Sequence, residues 1–63
     1  MLKVGDYVEI ISSDDNELEQ WLEEQENKGI NIHKVIEIDL ENALFWIENC
    51  TYAIWFSDNY IRR

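Results

Sequence analysis

The chain has no proline, one cysteine, one histidine and two glycines. Each scarcity removes a class of explanation. Cys50 alone cannot form an internal disulfide, and no cluster of cysteine and histidine offers a structural metal site. Gly5 and Gly29 stand far apart, so there is no glycine-rich phosphate loop. Bases are scarce too: 5 Lys and Arg face 14 Asp and Glu, a net charge of −9. Binding to nucleic acid is driven by neutralising phosphates with Lys and Arg, so this balance argues against direct nucleic-acid binding. It disfavours anionic membrane surfaces for the same reason. The longest apolar runs, Ala43–Ile47 and Tyr52–Phe56, are five residues each, whereas a membrane-crossing helix needs ~20. Met1–Asp6 carries no apolar stretch of signal-peptide length. A lone cysteine fits a reducing compartment, so the expected location is the cytoplasm.

What the chain does have is aromatic and acidic. Its 63 residues make one domain, residues 1–63, and a domain this small buries only ~60% of its unfolded surface. Three Trp, three Tyr and two Phe must supply much of the core, each burying roughly 150–250 Å². Hydrophobic content of 46% places the sequence outside the disordered class.

Along the chain, Gly5-Asp6 is a turn signal and Tyr7–Ile11 reads as a strand with Val8 and Ile10 on one face. Ser12–Asp15 reads as a loop. Asp14 with Glu17 three residues on has the form of a capping box. Asp15–Lys28 is dense in helix formers, with Leu18, Trp21, Leu22 and Gln25 on one side at helical spacing. Gly29 is placed to stop that helix. Within Ile30–Leu40, Ile36, Ile38 and Leu40 alternate with Glu37, Asp39 and Glu41, which predicts one buried and one wet face. Ala43–Glu48 and Tyr52–Phe56 read as a hairpin about Asn49-Cys50, where Asn tolerates a left-handed conformation. That turn puts Phe45 opposite Ile54 and Ile47 opposite Tyr52. Ser57–Asn59 is a turn, and Tyr60–Arg63 a short last strand.

Five short strands in so small a chain predict a partly open barrel. The opening Lys3-Val4-Gly5-Asp6-Tyr7-Val8-Glu9-Ile10-Ile11 and the close Trp55-Phe56-Ser57-Asp58-Asn59-Tyr60-Ile61 resemble those of the small SH3-like β-barrels. The resemblance implies a mainly β fold, a five-stranded partly open barrel with an α-helix inserted after the first strand. The aromatic and proline signatures of the peptide-binding members are absent, so recognition of proline-rich ligands is not implied. Small acidic barrels of this style also resemble products of bacteriophages or other mobile elements.

Seven carboxylates lie between Asp14 and Glu26. Glu19, Glu23 and Glu26 gather on one flank of the apolar stripe, Glu17 and Glu24 on the other. Glu24 is spaced to pair with Lys28, while Glu19 and Glu23 repel at a cost of roughly 0.2–0.5 kcal/mol. Such a row, rising ~6 Å per four residues, can stand in for phosphates before a basic cleft. The plain alternative is a solvated helix face. A second candidate is the hairpin face of Leu44, Trp46, Ala53 and Trp55, either covered by Leu18, Trp21 and Leu22 or exposed as an interaction patch.

No nucleophile–base constellation can be assembled from Cys50 and His33, since no third group or oxyanion donor is identifiable. Asp14–Glu17 lacks the glycine and the distal glutamate of a calcium loop. The sequence therefore predicts a non-catalytic binding protein with no cofactor and no metal. Its partner-binding residues would be Asp15, Glu19, Glu23, Glu26, Trp46 and Trp55. Its partner would be a protein with a basic surface, such as one that handles nucleic acid, and it would act as a regulator or inhibitor in DNA-mimic style. The alternative is an aromatic-patch interaction or homodimerisation module with a structural role.

Overall fold

A computed structural model describes residues 1–63. The elements run β1 (Tyr7–Ser12), α1 (Asn16–Asn27), β2 (His33–Asp39), β3 (Leu44–Ile47), β4 (Ile54–Trp55) and β5 (Asn59–Arg62). All five strands pair antiparallel in one sheet of order β4-β3-β2-β1-β5. The two outer strands, β4 and β5, do not pair with each other, so the sheet is not closed. The fold is mainly β with a single helix.

Local chemistry sets the element ends. Gly5 takes φ 97°, a left-handed conformation open to glycine at little cost. The Lys3–Asp6 turn it sits in is closed by Asp6 N–H to the Lys3 carbonyl at 3.0 Å and Lys3 N–H to the Asp6 carboxylate at 3.0 Å. The N-cap of α1 is Asp15, one residue later than the capping box of Asp14 and Glu17 implied. Asp15 Oδ1 accepts from the backbone N–H of Glu17 at 2.9 Å and of Leu18 at 3.3 Å. At the other end Gly29, at φ 80°, completes a Schellman motif. Its N–H donates to the Glu26 carbonyl at 2.9 Å, and that of Ile30 to the Gln25 carbonyl at 2.9 Å, satisfying two carbonyls the helix leaves open. Between β2 and β3, the backbone and side-chain nitrogens of Asn42 both donate to the Asp39 carboxylate, at 3.1 and 2.8 Å. Those bonds hold the Asp39 carboxyl below its ordinary pKa.

The hairpin register is the one the sequence predicts: Phe45 lies opposite Ile54 and Leu44 opposite Trp55. Asn49 does adopt the left-handed conformation, at φ 63°. Ladder pairing ends before the turn, however, so β4 is only two residues long and Ile47 has no strand partner at Tyr52. The alternation expected across Ile36, Ile38 and Leu40 fails. Val35 pairs with Ile47 but Glu37 pairs with Trp46, so β2 carries one extra residue, Ile36. A bulge of this kind reverses which parity faces inward. His33 and Val35 are buried before it and Ile38 partly buried after it, while Ile36 and Leu40 are exposed.

The core is a cluster of Val8, Leu18, Val35, Phe45, Ile47, Cys50 and Ile54. Phe45 anchors it, with Tyr60 of β5 edge-on at a ring distance of 5.1 Å and Phe56 at 5.8 Å. Contact between β3 and β5 at the two sides of the sheet shows that the sheet curls around this ring. Leu18 is the one fully buried residue of α1, and Trp21 and Leu22 pack beside it on the same cluster. The helix thus covers the Phe45–Ile47 face. It does not cover Trp46 and Trp55, neither of which packs on the cluster. The accessible surface, 4362 Å², matches the ~4,300 Å² that size scaling gives for a compact chain of this mass.

Candidate partner-binding surface

The helical spacing of Leu18 and Leu22 fixes which way α1 presents its acids. With those leucines turned to the sheet, Glu19, Glu23 and Glu26 fall along the edge that faces the end of β1. They line a hollow of about 450 Å³ with Ile10, Ile11 and Leu22. A second hollow of about 280 Å³ continues from it, sharing Ile10, Ile11, Leu22 and Glu26 and adding Glu9, Ile30, Asn31 and His33. Together they form one groove with an aliphatic floor and a carboxylate rim, and no Lys or Arg lines it. Ile11 reaches this groove because β1 bulges: Ile10 pairs with Tyr60 and Ser12 with Asn59, which leaves Ile11 without a partner.

The rim carboxylates are not equivalent. Glu19 is half-buried and accepts the Ser13 backbone N–H, tying the loop before α1 to the helix. Glu9 takes the guanidinium of Arg63 through both Nε and a terminal nitrogen. Glu23 and Glu26 are exposed and take part in neither of the chain's two ion pairs, Arg62–Asp6 and Arg63–Glu9. The pairing of Glu24 with Lys28 expected from their spacing is not among them. Exposed long side chains gain little from holding such a pair.

The other proposed binding residues lie elsewhere. Asp15 caps the helix, and it meets Trp55 in a separate hollow of about 380 Å³ lined also by Ser13, Asp14, Ser57 and Asp58. Asp58 organises that corner, accepting from the Trp55 backbone N–H at 3.1 Å and from the Ser13 hydroxyl at 3.3 Å. Trp55 is 51% exposed, and Trp46 is partly buried opposite Glu37 on the outer face of the sheet. The structure therefore brings Glu19, Glu23 and Glu26 together, joins Asp15 to Trp55, and keeps the two groups on different hollows.

Sequence reasoning missed Glu9, Ile11, Ile30 and His33. The alternation read along β2 put His33 on the wet face, because the bulge at Ile36 that reverses the phase is not visible in the sequence. The bulge at Ile11 has no sequence signal either. His33 is 4% exposed, with its ring tilted against Trp21 at 5.2 Å. Burial lowers its pKa, partly offset by the charge of Glu48. Cys50 is buried at 8% exposure, and that burial raises its pKa, opposed by a backbone hydrogen bond at Tyr52 and reinforced by Asp15. A thiol so placed is held in its unreactive protonated form. No helix is long and apolar enough to cross a membrane.

No family model, curated protein or solved structure matches this chain.

Proposed function

We propose that this chain is a non-catalytic acidic binding protein that docks the carboxylate-lined edge of α1 on a basic surface of a partner protein. It acts as a regulator or inhibitor, presenting carboxylates where the partner would otherwise meet phosphates. The observation that carries this reading is the groove itself: Glu19, Glu23 and Glu26 share one rim above an isoleucine floor, with no Lys or Arg among the lining residues. Acids scattered merely for solubility would have no reason to converge on an apolar cleft, because desolvating charge beside apolar surface is unfavourable. A basic partner turns that cost into a steering field and a set of charge pairs.

We also take the architecture to be SH3-like. The order β5-β1-β2-β3-β4, with β5 returning to β1, supports that reading. The unpaired, buried Cys50 accords with a reducing compartment such as the cytoplasm.

A second reading rests on Trp55, which stands 51% exposed beside Asp14, Asp15 and Asp58. It makes the chain an aromatic-patch interaction module or homodimer. One experiment weighs both readings. Wild type, Glu23→Gln/Glu26→Gln and Trp55→Ala are immobilised side by side, and captured proteins are identified by mass spectrometry at low and raised salt. A basic protein held by wild type, released by salt and lost from the double glutamine variant is the expected result. Equal retention by wild type and that variant, with loss only on Trp55→Ala, refutes the docking of α1 and supports the aromatic patch.

A further inference from the structure

The open sheet has two outer edges, and they are finished differently. On β4, Phe56 donates to the Ala43 carbonyl on the β3 side. Adjacent residues of a strand point their backbone groups opposite ways, so the groups facing outward belong to Trp55. Asp58 closes both of them. Its carboxylate accepts the Trp55 N–H at 3.1 Å, and its own N–H donates to the Trp55 carbonyl at 2.9 Å. That edge has nothing left to offer another strand.

The edge of β5 is left open. Arg63 donates to the Tyr7 carbonyl at 2.7 Å, so Arg63 and Ile61 turn their backbone groups toward β1. Tyr60 and Arg62 turn theirs outward, where no further strand lies. None of the backbone bonds outside the ladder reaches them. An exposed edge of this kind is a template for pairing with another chain.

The side chains of β5 select that chain. No acid lies in Asn59–Arg63, so two copies carrying −9 each meet here without opposed carboxylates. Arg62 and Arg63 are held by Asp6 and Glu9 of their own copy, which leaves this end of the sheet close to neutral. Ile61, opposite Glu9 in the ladder, stands 43% exposed. Two antiparallel β5 strands related by a twofold axis have three registers. Pairing Tyr60 with Tyr60 of the second copy leaves the outward groups of Arg62 unused. Pairing Arg62 with Arg62 of the second copy leaves those of Tyr60 unused and sets guanidinium against guanidinium. Pairing Tyr60 with Arg62 of the second copy uses every outward group. It also brings Ile61 onto Ile61 of the second copy, at the closely spaced position of the ladder.

We propose that β5 is the interface of a symmetric homodimer, in which Tyr60 and Arg62 of each copy exchange backbone hydrogen bonds with Arg62 and Tyr60 of the other and Ile61 packs across the axis. The closed edge at β4 stops assembly at two copies, because a head-to-tail array needs both edges. A strand of four residues buries far less than the ~1,200–2,000 Å² of a stable interface, so the dimer is weak, with a Kd on the order of 0.1–1 mM. The dimer is independent of what α1 docks on, and it does not use Trp55.

The test is a dilution series of the whole nitrogen-15-labelled chain from about 2 mM to about 0.02 mM, followed by amide shifts and by sedimentation. The mass should move from dimer toward monomer, with the largest shifts at Tyr60, Ile61 and Arg62. Ile61→Lys, which sets two cations on the axis, should be monomeric throughout. Arg62→Pro should be too, since it deletes an outward N–H that the fold itself does not use and proline is tolerated on an edge strand. Trp55→Ala should dimerise as wild type does. Raised salt should strengthen the dimer by screening the charge on the two copies. A wild-type chain that stays monomeric at the highest concentration, or grows beyond two copies, overturns the proposal. So does a dimer that salt weakens, or one lost in Trp55→Ala and kept in Ile61→Lys.

Discussion

Leu18→Ala puts the helix and the groove at risk together. Leu18 is fully buried and is the only residue of α1 that is. Truncating a buried leucine costs about 2–5 kcal/mol, the lost transfer energy plus the cavity left behind. At roughly 0.05–0.15 kcal/mol per residue, a chain of 63 residues has only about 3–9 kcal/mol of total stability. A loss of about 3 kcal/mol is then a third or more of the whole, and it lowers the melting temperature by about 12–24 °C. Urea unfolding followed by far-UV circular dichroism and by the β3 amide signals measures it. The two probes should move together, because Leu18 packs on Phe45 and Ile47 in one cluster. A loss below about 1 kcal/mol, or a helix signal that melts while the β3 signals hold, would refute the claim that α1 is part of the core.

Two further outcomes follow from the cap of α1 and from the buried histidine. Asp15→Ala removes the carboxylate that accepts from Glu17 and Leu18 and should cost about 1 kcal/mol, read as a shift of the urea midpoint with no change of slope. Acid pH should destabilise the fold through His33, whose native pKa burial lowers. Below about pH 6.5 the unfolded chain takes up a proton that the folded chain resists, so this contribution is intact above that pH and declines as pH falls toward the native value. His33 is the only histidine; a urea midpoint that stays flat or rises between about pH 7 and pH 5.5 would contradict the assignment.

How much of this was legible beforehand depends on whether the cause was local. The bounds of α1 were readable to within a residue or two, since a side-chain cap and a Gly29 Schellman motif are written in neighbouring residues. So was the pairing of Phe45 with Ile54. The phase of β2 was not. The alternation of Ile36, Ile38 and Leu40 is real in the sequence, but the backbone inserts Ile36 as a bulge, and a bulge is chosen by the curl of the whole sheet. The same reason hid Ile11. The acidic flank of α1 was legible as a flank; what it faces was not, because that depends on the leucines choosing the Phe45–Ile47 face over Trp46 and Trp55. Either face of the hairpin offers aromatic surface, and helical periodicity does not distinguish them.

That choice ties binding to stability. The residues that seat α1 on the core and the residues that rim the groove alternate along the same three turns, so the helix backbone cannot carry Glu23 and Glu26 away without moving Leu22, or move Leu22 without loosening Leu18. Glu19 and Glu23 repel at i,i+4, as Glu23 and Glu26 do at i,i+3, each at roughly 0.2–0.5 kcal/mol. In a domain with a core of seven buried apolar residues that tension is not trivial. A cationic partner relieves it at the moment of docking. Binding of the folded chain alone, at a partner concentration a hundred times Kd, adds about 2.7 kcal/mol, comparable with what Leu18 contributes. The free protein and the bound protein should therefore differ most in how firmly α1 is held, and hydrogen exchange in Leu18–Leu22, not in β3, is where the partner's arrival would register first.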